Sequence, residues 1–371
     1  MRFKEKAKKV HFDKMLLITS LLILAFGLVM LFSASVAVGL ERFGDSGFFI
    51  KRQLISLVMG AFVFYIAYKV DYHVWHKWSL VILIGSIILL ILVLIPGIGA
   101  SGQGAQRWID LGFFGFQPSE AVKLAVILYM SAWVSERGES SIKDVKQGLI
   151  PFISLLALLA VLIMKQPDFG TLTIIMFIAL VLFFTGGADI KHIFGLVLSG
   201  GVMAFIAIKT APYRMARLLA FLNPQSDPQG AGYHIAQAKL AVGSGGLFGL
   251  GLGQSRQKFF YLPEVTGDSI FAVIAEELGF FFSSFVILLF LAFFWRSIKI
   301  ASTAPDKFGK LVAVGIGVWI SVQAFVNIGA MLGVLPLTGL TLPLMSYGGS
   351  SLIMTLAGIG VLLNISKQCK V

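Results

Sequence analysis

Apolar and polar positions alternate along this chain in long blocks, and ten apolar blocks stand out. They lie at about 15–38, 51–68, 79–97, 117–134, 149–164, 170–185, 191–208, 268–295, 311–334 and 346–365. Each is near the ~20 residues that a helix needs to cross a bilayer, although the fifth, sixth and seventh are short. The pattern predicts an all-α, polytopic integral membrane protein with ten transmembrane helices.

The basic residues between these blocks predict the orientation. An even number of spans places both termini on one side, and that side holds 18 Lys and Arg residues. The opposite side holds 11, six of them in a long loop at 209–267 that the positive-inside rule discounts. Both termini are therefore expected in the cytoplasm. Residues 1–14 form a basic cytoplasmic tail, interpreted as an anchor at anionic lipid, with docking of a cytoplasmic partner left open.

Composition agrees with a membrane protein and excludes other classes. Of the 371 residues, 57% are hydrophobic and 13% charged, whereas soluble domains have about a quarter charged residues. The net charge of +12 would suit nucleic acid, but the basic residues follow the membrane topology, so no nucleic-acid partner is expected. Cys369 is the only cysteine, which excludes an internal disulfide and a thiolate metal site. Residues 1–371 are expected to form a single domain in the cytoplasmic membrane.

The two longest predicted loops lie on the outer side. Loop 97–116 is rich in glycine, and loop 209–267 is the large extracytoplasmic loop. Within the second, 216–222 and 233–242 are interpreted as short amphipathic helices on the interface, with 243–246 as a flexible break. A loop of this length in a compact membrane protein is usually functional or disordered, and this one is too apolar for disorder. Any chemistry is therefore expected to face outward.

Asp268 stands where this loop enters the eighth apolar block. It has two compatible interpretations, an N-cap of the helix or a general base whose pKa is raised by an apolar wall. Glu276 is eight residues further on, so it is expected on nearly the same helical face, about 12 Å deeper. Acids inside a membrane segment are functional candidates by default, although a structural ion pair for Glu276 and Glu277 stays open.

Other candidates lie at the outer ends of further blocks. Glu120 and Lys123 are spaced as an i,i+3 ion pair, either structural or orienting an anionic substrate. Arg107 is a better phosphate ligand, because a guanidinium makes bidentate contacts. Asp168 is expected to cap the sixth helix. The turn at 346–351 is a glycine-rich helix start, which favours anions, although helix packing also explains its small residues.

Together the outer face predicts a basic surface beside lipid, suited to a long-chain lipid that carries a pyrophosphate and a polar head. The residues it gathers are Arg107, Gln117, Lys165, Asp168, Lys239, Arg256, Lys258, Asp268 and the turn at 346–351.

Motifs along nearly the whole chain resemble those of the SEDS family, whose members shape, elongate and divide bacterial cells. They are Arg107-Trp108, Gln117-Pro118-Ser119-Glu120 with Lys123, Gln166-Pro167-Asp168-Phe169-Gly170-Thr171, Leu222-Asn223-Pro224 with Asp227, Leu262-Pro263-Glu264 with Asp268, Glu276-Glu277, and Ser346-Tyr347-Gly348-Gly349-Ser350-Ser351. Short stretches at 249–258 and 340–343 are more similar to the division branch of the family than to the elongation branch.

The resemblance implies a ten-helix glycosyltransferase that polymerises lipid II into peptidoglycan for septal cell-wall synthesis outside the cytoplasmic membrane. It implies that Asp268 is the catalytic base acting on the 4-hydroxyl of the acceptor GlcNAc, with undecaprenyl pyrophosphate leaving. A divalent cation, Mg²⁺ or Mn²⁺, is a plausible cofactor, with no metal ligands assigned. The implied partners are a class B penicillin-binding protein, which is a transpeptidase, and other membrane proteins of the divisome. The expected substrate-binding residues are Arg107, Gln117, Ser119, Glu120, Lys123, Gln166, Asp168, Lys239, Lys258, Glu276, Ser346 and Ser350.

The chain departs from the family beside the acid, where His-Thr-Asp-Phe is common. Here Thr266-Gly267-Asp268-Ser269 lacks the histidine, which puts in doubt a neighbouring imidazole that tunes the base. Two alternatives remain open from sequence. One is a lipid II flippase that uses the intramembrane acids, and the other is a non-catalytic scaffold that recruits the transpeptidase.

Overall fold

The computed structural model describes residues 12–97, 99–102, 105–110, 112, 115–224, 227 and 230–369. Most of the predicted basic tail at 1–14 therefore lies outside the described residues. The helices are α1 (Lys14–Phe43), α2 (Phe48–Lys69), α3 (Tyr72–Val93), α4 (Pro118–Ser135), α5 (Glu139–Lys143), α6 (Ile150–Lys165, entered through a π-helical turn at Val145–Leu149), α7 (Phe169–Thr185), α8 (Ile190–Lys209), α9 (Pro212–Leu222), α10 (Ala231–Ser244), α11 (Ile270–Thr303), α12 (Lys307–Met331) and α13 (Gly349–Ser366).

Each of the ten apolar blocks contains a helix. Eight helical segments of the described chain are long and apolar enough to cross a membrane, and they are α1, α2, α3, α6 with its π-helical turn, α8, α11, α12 and α13. The two remaining blocks form α7, which is apolar but only 17 residues long, and α4, which carries Glu120 and Lys123. The prediction of a helical, polytopic membrane protein is confirmed.

A small sheet occupies the glycine-rich loop at 97–116, so the all-α prediction is wrong in this segment. Strands β1 (Gly99–Gly102), β2 (Ala105–Asp110) and β3 (Gly115–Phe116) pair antiparallel in that order. Gly99 lies opposite Ile109, which in turn lies opposite Phe116. The strands are too short and too rich in glycine to show the alternation of apolar and polar residues that identifies a strand.

Close helix pairs build the core. Helix α13 packs against α2, α11 against α12, and α3 against α4, while α12 and α13 are buried along most of their length. Glycine permits the approach of α2 and α13, because a Cβ on Gly360 would lie 2.7 Å from the carbonyl oxygen of Phe64. Small residues at such crossings are typical of membrane helices. Helix α8 has no buried residue and packs weakly, against α7 and α9.

Helix α11 is interrupted at Gly279, whose φ of 73° and ψ of −169° are not helical. The backbone groups freed by this break bond to the loop that precedes the helix. Phe280 N donates to Gly246 O at 2.9 Å, and Leu250 N donates to Glu276 O at 3.0 Å. Loop backbone thus replaces the missing intrahelical bonds, as an apolar environment requires.

The expectation of a flexible break at 243–246 is wrong, because this segment packs against the interrupted part of α11. A Cβ on Gly245 would lie 1.9 Å from the carbonyl oxygen of Ala275. The glycines here permit close packing of the loop against α11, and the segment forms the end of α10 and the start of a tightly packed turn. Glycine at a close backbone approach and glycine in a mobile linker look alike in sequence.

Candidate active site

Helices α9 and α10 confirm that the long loop at 209–267 contains two short helices, and they border a cavity of about 640 Å³. The cavity is lined by residues from many parts of the chain. They include Arg52, Arg107, Trp108, Gln117, Glu120, Asp168, Phe169, Tyr213, Arg214, Arg217, His234, Glu264, Asp268, Thr341, Tyr347 and Ser351. Asp268 therefore lies on the wall of this cavity.

The turn at 263–269 places Asp268 on that wall. Gly267 N and Ser269 N both donate to Glu264 O, at 2.9 and 3.2 Å, which closes the turn. Glu264 itself has a φ of 51°. Non-glycine residues in this region are uncommon and concentrate at functional sites, where the surroundings hold them.

Three side-chain and backbone groups from other elements fix the same turn. Ser346 Oγ donates to Gly267 O at 2.6 Å, Tyr347 N donates to Thr266 O at 2.8 Å, and Asn327 Nδ2 donates to the backbone oxygen of Asp268 at 2.7 Å. Ser346 is a predicted substrate-binding residue, but here it supports the turn and is buried. The backbone of Asp268 is thus held by contacts from α12 and from the segment before α13.

The carboxyl group of Asp268 is less well satisfied than its backbone. Its Oδ1 is buried and has no hydrogen-bond partner among the described residues. Desolvation, and then the nearby charge of Glu264, raise the pKa of Asp268 to about 7, against the opposing effect of Arg217. A carboxyl with a pKa near neutrality is well matched to general base catalysis at physiological pH.

The expected N-cap role of Asp268 is not seen. Helix α11 begins at Ile270, so the capping position belongs to Ser269, whose side chain makes no capping bond. The turn at 263–269 ends later than the sequence pattern indicates, and this leaves the carboxyl of Asp268 facing the cavity instead of the helix end.

Four arginines contribute positive charge to the cavity wall, Arg52, Arg107, Arg214 and Arg217. Arg107 donates from Nε to Gln166 O at 2.8 Å and from Nη2 to the backbone oxygen of Pro167. These bonds orient its guanidinium group between β2 and the start of α7. Guanidinium groups suit bidentate binding of phosphate oxygens, so this wall is chemically suited to a pyrophosphate.

A polar network joins the starts of α4 and α7. Ser119 Oγ donates to Asp168 Oδ2 at 3.1 Å, and Gln117 Nε2 donates to the same oxygen at 3.2 Å. Asp168 accepts from Thr171 N at 3.3 Å, which confirms it as the cap of α7. Gln117 and Asp168 line the cavity, whereas Ser119 is fully buried behind them.

Ser350 and Gln166 belong to the support of this region. Ser350 Oγ accepts from Gln117 N at 2.8 Å and donates to Gly115 O at 3.2 Å. Gln166 is fully buried, and its Nε2 donates to Leu90 O at 3.0 Å. Both side chains hold the cavity wall from behind.

The predicted ion pair of Glu120 and Lys123 is confirmed, at 2.8 Å. Lys123 Nζ also donates to Gln323 at 2.8 Å and lies over the ring of Trp319. Lys123 is completely buried, while Glu120 reaches the cavity wall. Lys123 therefore neutralises a carboxylate inside the bundle and is not placed to touch a substrate in the cavity.

Glu276 and Glu277 hold the loop at 253–258, and the expectation that Glu276 shares a face with Asp268 is wrong. Glu276 accepts from Ser255 Oγ and from the backbone N of Arg256 at 3.0 Å. Glu277 accepts from Lys258 Nζ at 2.7 Å, and all three charged groups of this cluster are buried. Two residues eight positions apart share a face only when both lie in one helix, and Asp268 lies in the turn before α11.

Lys239 points elsewhere. It is exposed on α10, and its side chain lies over Gly333 after α12, where a Cβ would meet Lys239 Cε at 1.9 Å. Of the twelve predicted substrate-binding residues, the structure brings four to the cavity wall, Arg107, Gln117, Glu120 and Asp168.

Comparison with known proteins places this arrangement in a family. The model of the cell cycle protein family that comprises FtsW, RodA and SpoVE matches residues 13–371. The chain belongs to this family. Stage V sporulation protein E of Bacillus subtilis is 45% identical over 364 residues, covering 98% of this chain and 99% of the relative. A probable peptidoglycan glycosyltransferase FtsW of Geobacter sp. is 40% identical, covering 97% and 98%.

Solved structures of family members share the fold. The rod shape determining protein RodA of Thermus thermophilus superposes with a TM-score of 0.71 at 27% identity, covering 96% of this chain and 97% of that one. A chain from a peptidoglycan synthase complex, described for its coordination of polymerization and crosslinking, gives a TM-score of 0.80 at 28% identity with the same coverage. The SEDS resemblance deduced from the motifs is confirmed at the level of the family.

Sequence reasoning missed Arg52, Arg214, Arg217, Glu264 and His234 as members of the site. The i,i+3 spacing of Arg214 and Arg217 places both on one face of α9, which is a signal that the sequence contains. The side chains of Glu264 and His234 reach the cavity through tertiary packing, for which a single sequence carries no local signal.

No group of three or more His, Cys, Asp and Glu side chains that could hold a metal occurs among the described residues. Two of the four carboxyl groups that line the cavity, Glu264 and Asp268, lie on one turn, and the buried Oδ1 of Asp268 has no hydrogen-bond partner among the described residues. Magnesium is usually bound by one or two carboxylates together with substrate phosphates. The residues present therefore fit a cation that arrives with a phosphorylated substrate, and not a cation held by protein ligands alone.

Proposed function

We propose that this protein is a peptidoglycan glycosyltransferase that polymerises lipid II, with Asp268 as the general base. The single observation that supports this most is the carboxyl of Asp268, raised in pKa to about 7 and unpartnered at Oδ1, on the wall of a cavity lined by four arginines. Transfer of a sugar from a lipid pyrophosphate needs a base for the acceptor hydroxyl and positive charge for the leaving pyrophosphate, and this cavity offers both.

In the proposed reaction Asp268 takes the proton of the 4-hydroxyl on the acceptor GlcNAc. The resulting oxygen nucleophile forms a bond to the anomeric carbon of the donor sugar, and the bond from that carbon to the pyrophosphate oxygen breaks. Undecaprenyl pyrophosphate leaves with the electron pair, and Arg52, Arg107, Arg214 and Arg217 stabilise its charge. Asp268 and Glu264 are the residues that would hold a divalent cation, which would supply further charge stabilisation to the leaving group.

The topology is part of the proposal. Ten membrane spans with both termini in the cytoplasm put α9, α10 and the cavity on the outer side of the cytoplasmic membrane, where the positive-inside rule directs them. Two observations support ten spans. Each apolar block contains a helix, and α4 and α7 are buried among the longer spans.

The septal role and the partners are also proposed. The relatives described above carry the names FtsW and SpoVE, and similarity to them favours a role in division or sporulation over elongation. A class B penicillin-binding protein is the proposed transpeptidase partner, supported by a structural relative that belongs to a complex for polymerization and crosslinking. Other divisome membrane proteins are expected to bind the same assembly.

The experiment is polymerisation of labelled lipid II by purified full-length protein with its transpeptidase. Wild type is expected to yield glycan polymer, whereas Asp268→Ala and Asp268→Asn are expected to yield none. Asp45→Asn is the matched control, because Asp45 is a carboxylate on the same predicted side that pairs with Lys51 at the surface. Normal polymer from folded Asp268→Ala and Asp268→Asn protein, or none from wild type, refutes the proposal.

The flippase alternative loses the observations that supported it. Glu276 and Glu277 bond to the loop at 253–258, and Glu120 bonds to Lys123. Each of these acids therefore has a structural partner within the described part of the chain. Movement of lipid II across liposome membranes that is abolished by Glu276→Gln would restore that alternative.

A further inference from the structure

His234 contacts the active-site turn from a separate helix. It lies on α10, and its Nε2 is 2.6 Å from Ser269 Oγ, the hydroxyl of the residue next to Asp268. Ser269 is fully buried, and its Oγ also bonds to the carbonyl oxygen of Pro263 at 2.7 Å. This hydroxyl therefore joins both ends of the turn at 263–269 to α10.

The chemistry of these groups fixes the direction of the bonds. A carbonyl oxygen only accepts, so the single hydroxyl proton of Ser269 goes to Pro263 O. Nε2 of His234 must then carry a proton and donate it to Ser269 Oγ. The ring acts as a donor in its neutral form, because burial, and then the charge of Arg217 on α9, lower the pKa of His234 to about 4.

Of the charged groups near the ring, Arg217 is the one that favours this state. Arg217 faces it from α9, while Glu264 and Asp268 lie on the turn that it contacts. The cation disfavours a second proton on the imidazole, and the two carboxyl groups line the same cavity as the ring. A neutral donor holds Ser269 without adding a charge beside the proposed base.

We propose that His234 is a positioning residue for catalysis: as a neutral Nε2–H donor it holds the Ser269 hydroxyl, and through it the turn that carries Asp268. The proposal rests on the proposed function of Asp268 as the base. It assigns to α10 an imidazole beside the turn, where the sequence has Thr266 in place of the family's histidine.

Two substitutions separate the donor from the bulk of the ring. Gln places an amide N–H near the position of Nε2 and does not titrate, whereas Phe keeps a ring and removes the donor. His234→Phe and Ser269→Ala break this contact from its two ends, and Ser269→Ala also removes the bond from Ser269 Oγ to Pro263 O. Ser244→Ala is the control on α10, because within the described part of the chain Ser244 Oγ bonds to Ala241 O of its own helix and not to the turn at 263–269.

The test measures kcat and KM for lipid II polymerisation by full-length protein with its transpeptidase, from pH 5.5 to 8.5. His234→Phe and Ser269→Ala are each expected to lower kcat about tenfold, equivalent to about 1.4 kcal/mol, with KM changed less than twofold. The kcat of the double variant is expected to be no lower than that of the less active single variant, since both substitutions act through one contact. His234→Gln is expected to keep kcat within about threefold and to leave the pH profile unchanged.

Several outcomes overturn the proposal. Equal loss in His234→Gln and His234→Phe shows that the donor is not what matters, and a profile limb that disappears in His234→Gln shows that the ring titrates in the reaction. Nitrogen-15 NMR of histidine-labelled protein gives a readout without activity. A protonated ring or an Nδ1–H tautomer at pH 7, with the signal assigned by its loss in His234→Gln, refutes the neutral donor even where polymerisation itself fails.

Discussion

Replacing Asp268 by Asn is expected to abolish polymerisation and at the same time to stabilise the folded protein at alkaline pH. Asn keeps the size of the side chain but carries no charge and cannot accept a proton as a base. The carboxylate of Asp268 has a buried oxygen without a partner, so ionisation in the folded protein is costly. Removing that charge should raise the free energy of unfolding wherever wild type is ionised.

The magnitude follows from the pKa of Asp268, which rises from 3.8 to about 7 on folding. Because the folded pKa is the higher one, the protonated carboxyl stabilises the folded state fully below pH 3.8, and this contribution is lost as the pH rises through 7. The full loss corresponds to about 4 kcal/mol. Solvent in the cavity screens part of it, so we expect about 1–2 kcal/mol, or about 1–3 °C in Tm for a chain of this length.

The assay is thermal unfolding of wild type and Asp268→Asn in detergent at pH 5 and pH 8. The difference in Tm should be larger at pH 8, with the variant the more stable protein. Asp168→Asn is the matched control, because the buried carboxylate of Asp168 accepts bonds from Gln117, Ser119 and the backbone of Thr171. That variant should be less stable at both pH values. If Asp268→Asn is destabilised equally at pH 5 and pH 8, the carboxylate is not the uncompensated charge described above.

Three further expectations concern other parts of the site and its supports. Arg217→Ala removes a charge that lowers the pKa of Asp268, so the rising limb of the pH–rate profile should move to higher pH; a shift to lower pH contradicts the electrostatic argument. Glu277→Gln leaves the buried ammonium of Lys258 without its partner, which should lower the free energy of unfolding by about 3–5 kcal/mol, measured by thermal unfolding. Gly279→Ala places a Cβ 2.3 Å from a loop nitrogen at a φ of 73°, so size-exclusion chromatography should show little folded protein, and a normal yield refutes the packing described.

The sequence predicts features of this protein that depend on neighbours along the chain. Hydrophobic blocks identify the helices because crossing lipid requires about 20 apolar residues whatever the partners are. The cap by Asp168 and the ion pair of Glu120 with Lys123 are formed within one turn of helix, so their spacing reveals them. The two helices of the loop at 209–267 follow from the same local periodicity.

Features that depend on distant contacts are missed or misread. Glu276 is paired with Ser255 and Arg256 across about 20 positions. The prediction that Glu276 shares a helical face with Asp268 is wrong because the helix begins two residues after Asp268. The contact of His234 with Ser269 spans 35 positions. The first contact arises only when the loop at 253–258 packs on α11, and the second only when α10 packs on the turn before α11. One sequence carries no record of that packing.

The break at Gly279 also limits how α11 can enter the membrane. It lies about 14 Å into the helix, and Phe280 N bonds to Gly246 O instead of to its own helix. A nascent α11 crossing lipid alone would expose these backbone groups, at several kcal/mol each. The earlier loop must therefore follow its helix into the bilayer before the helix is stable. We expect the insertion machinery to release this part of the chain as one unit of loop and helix, and not helix by helix.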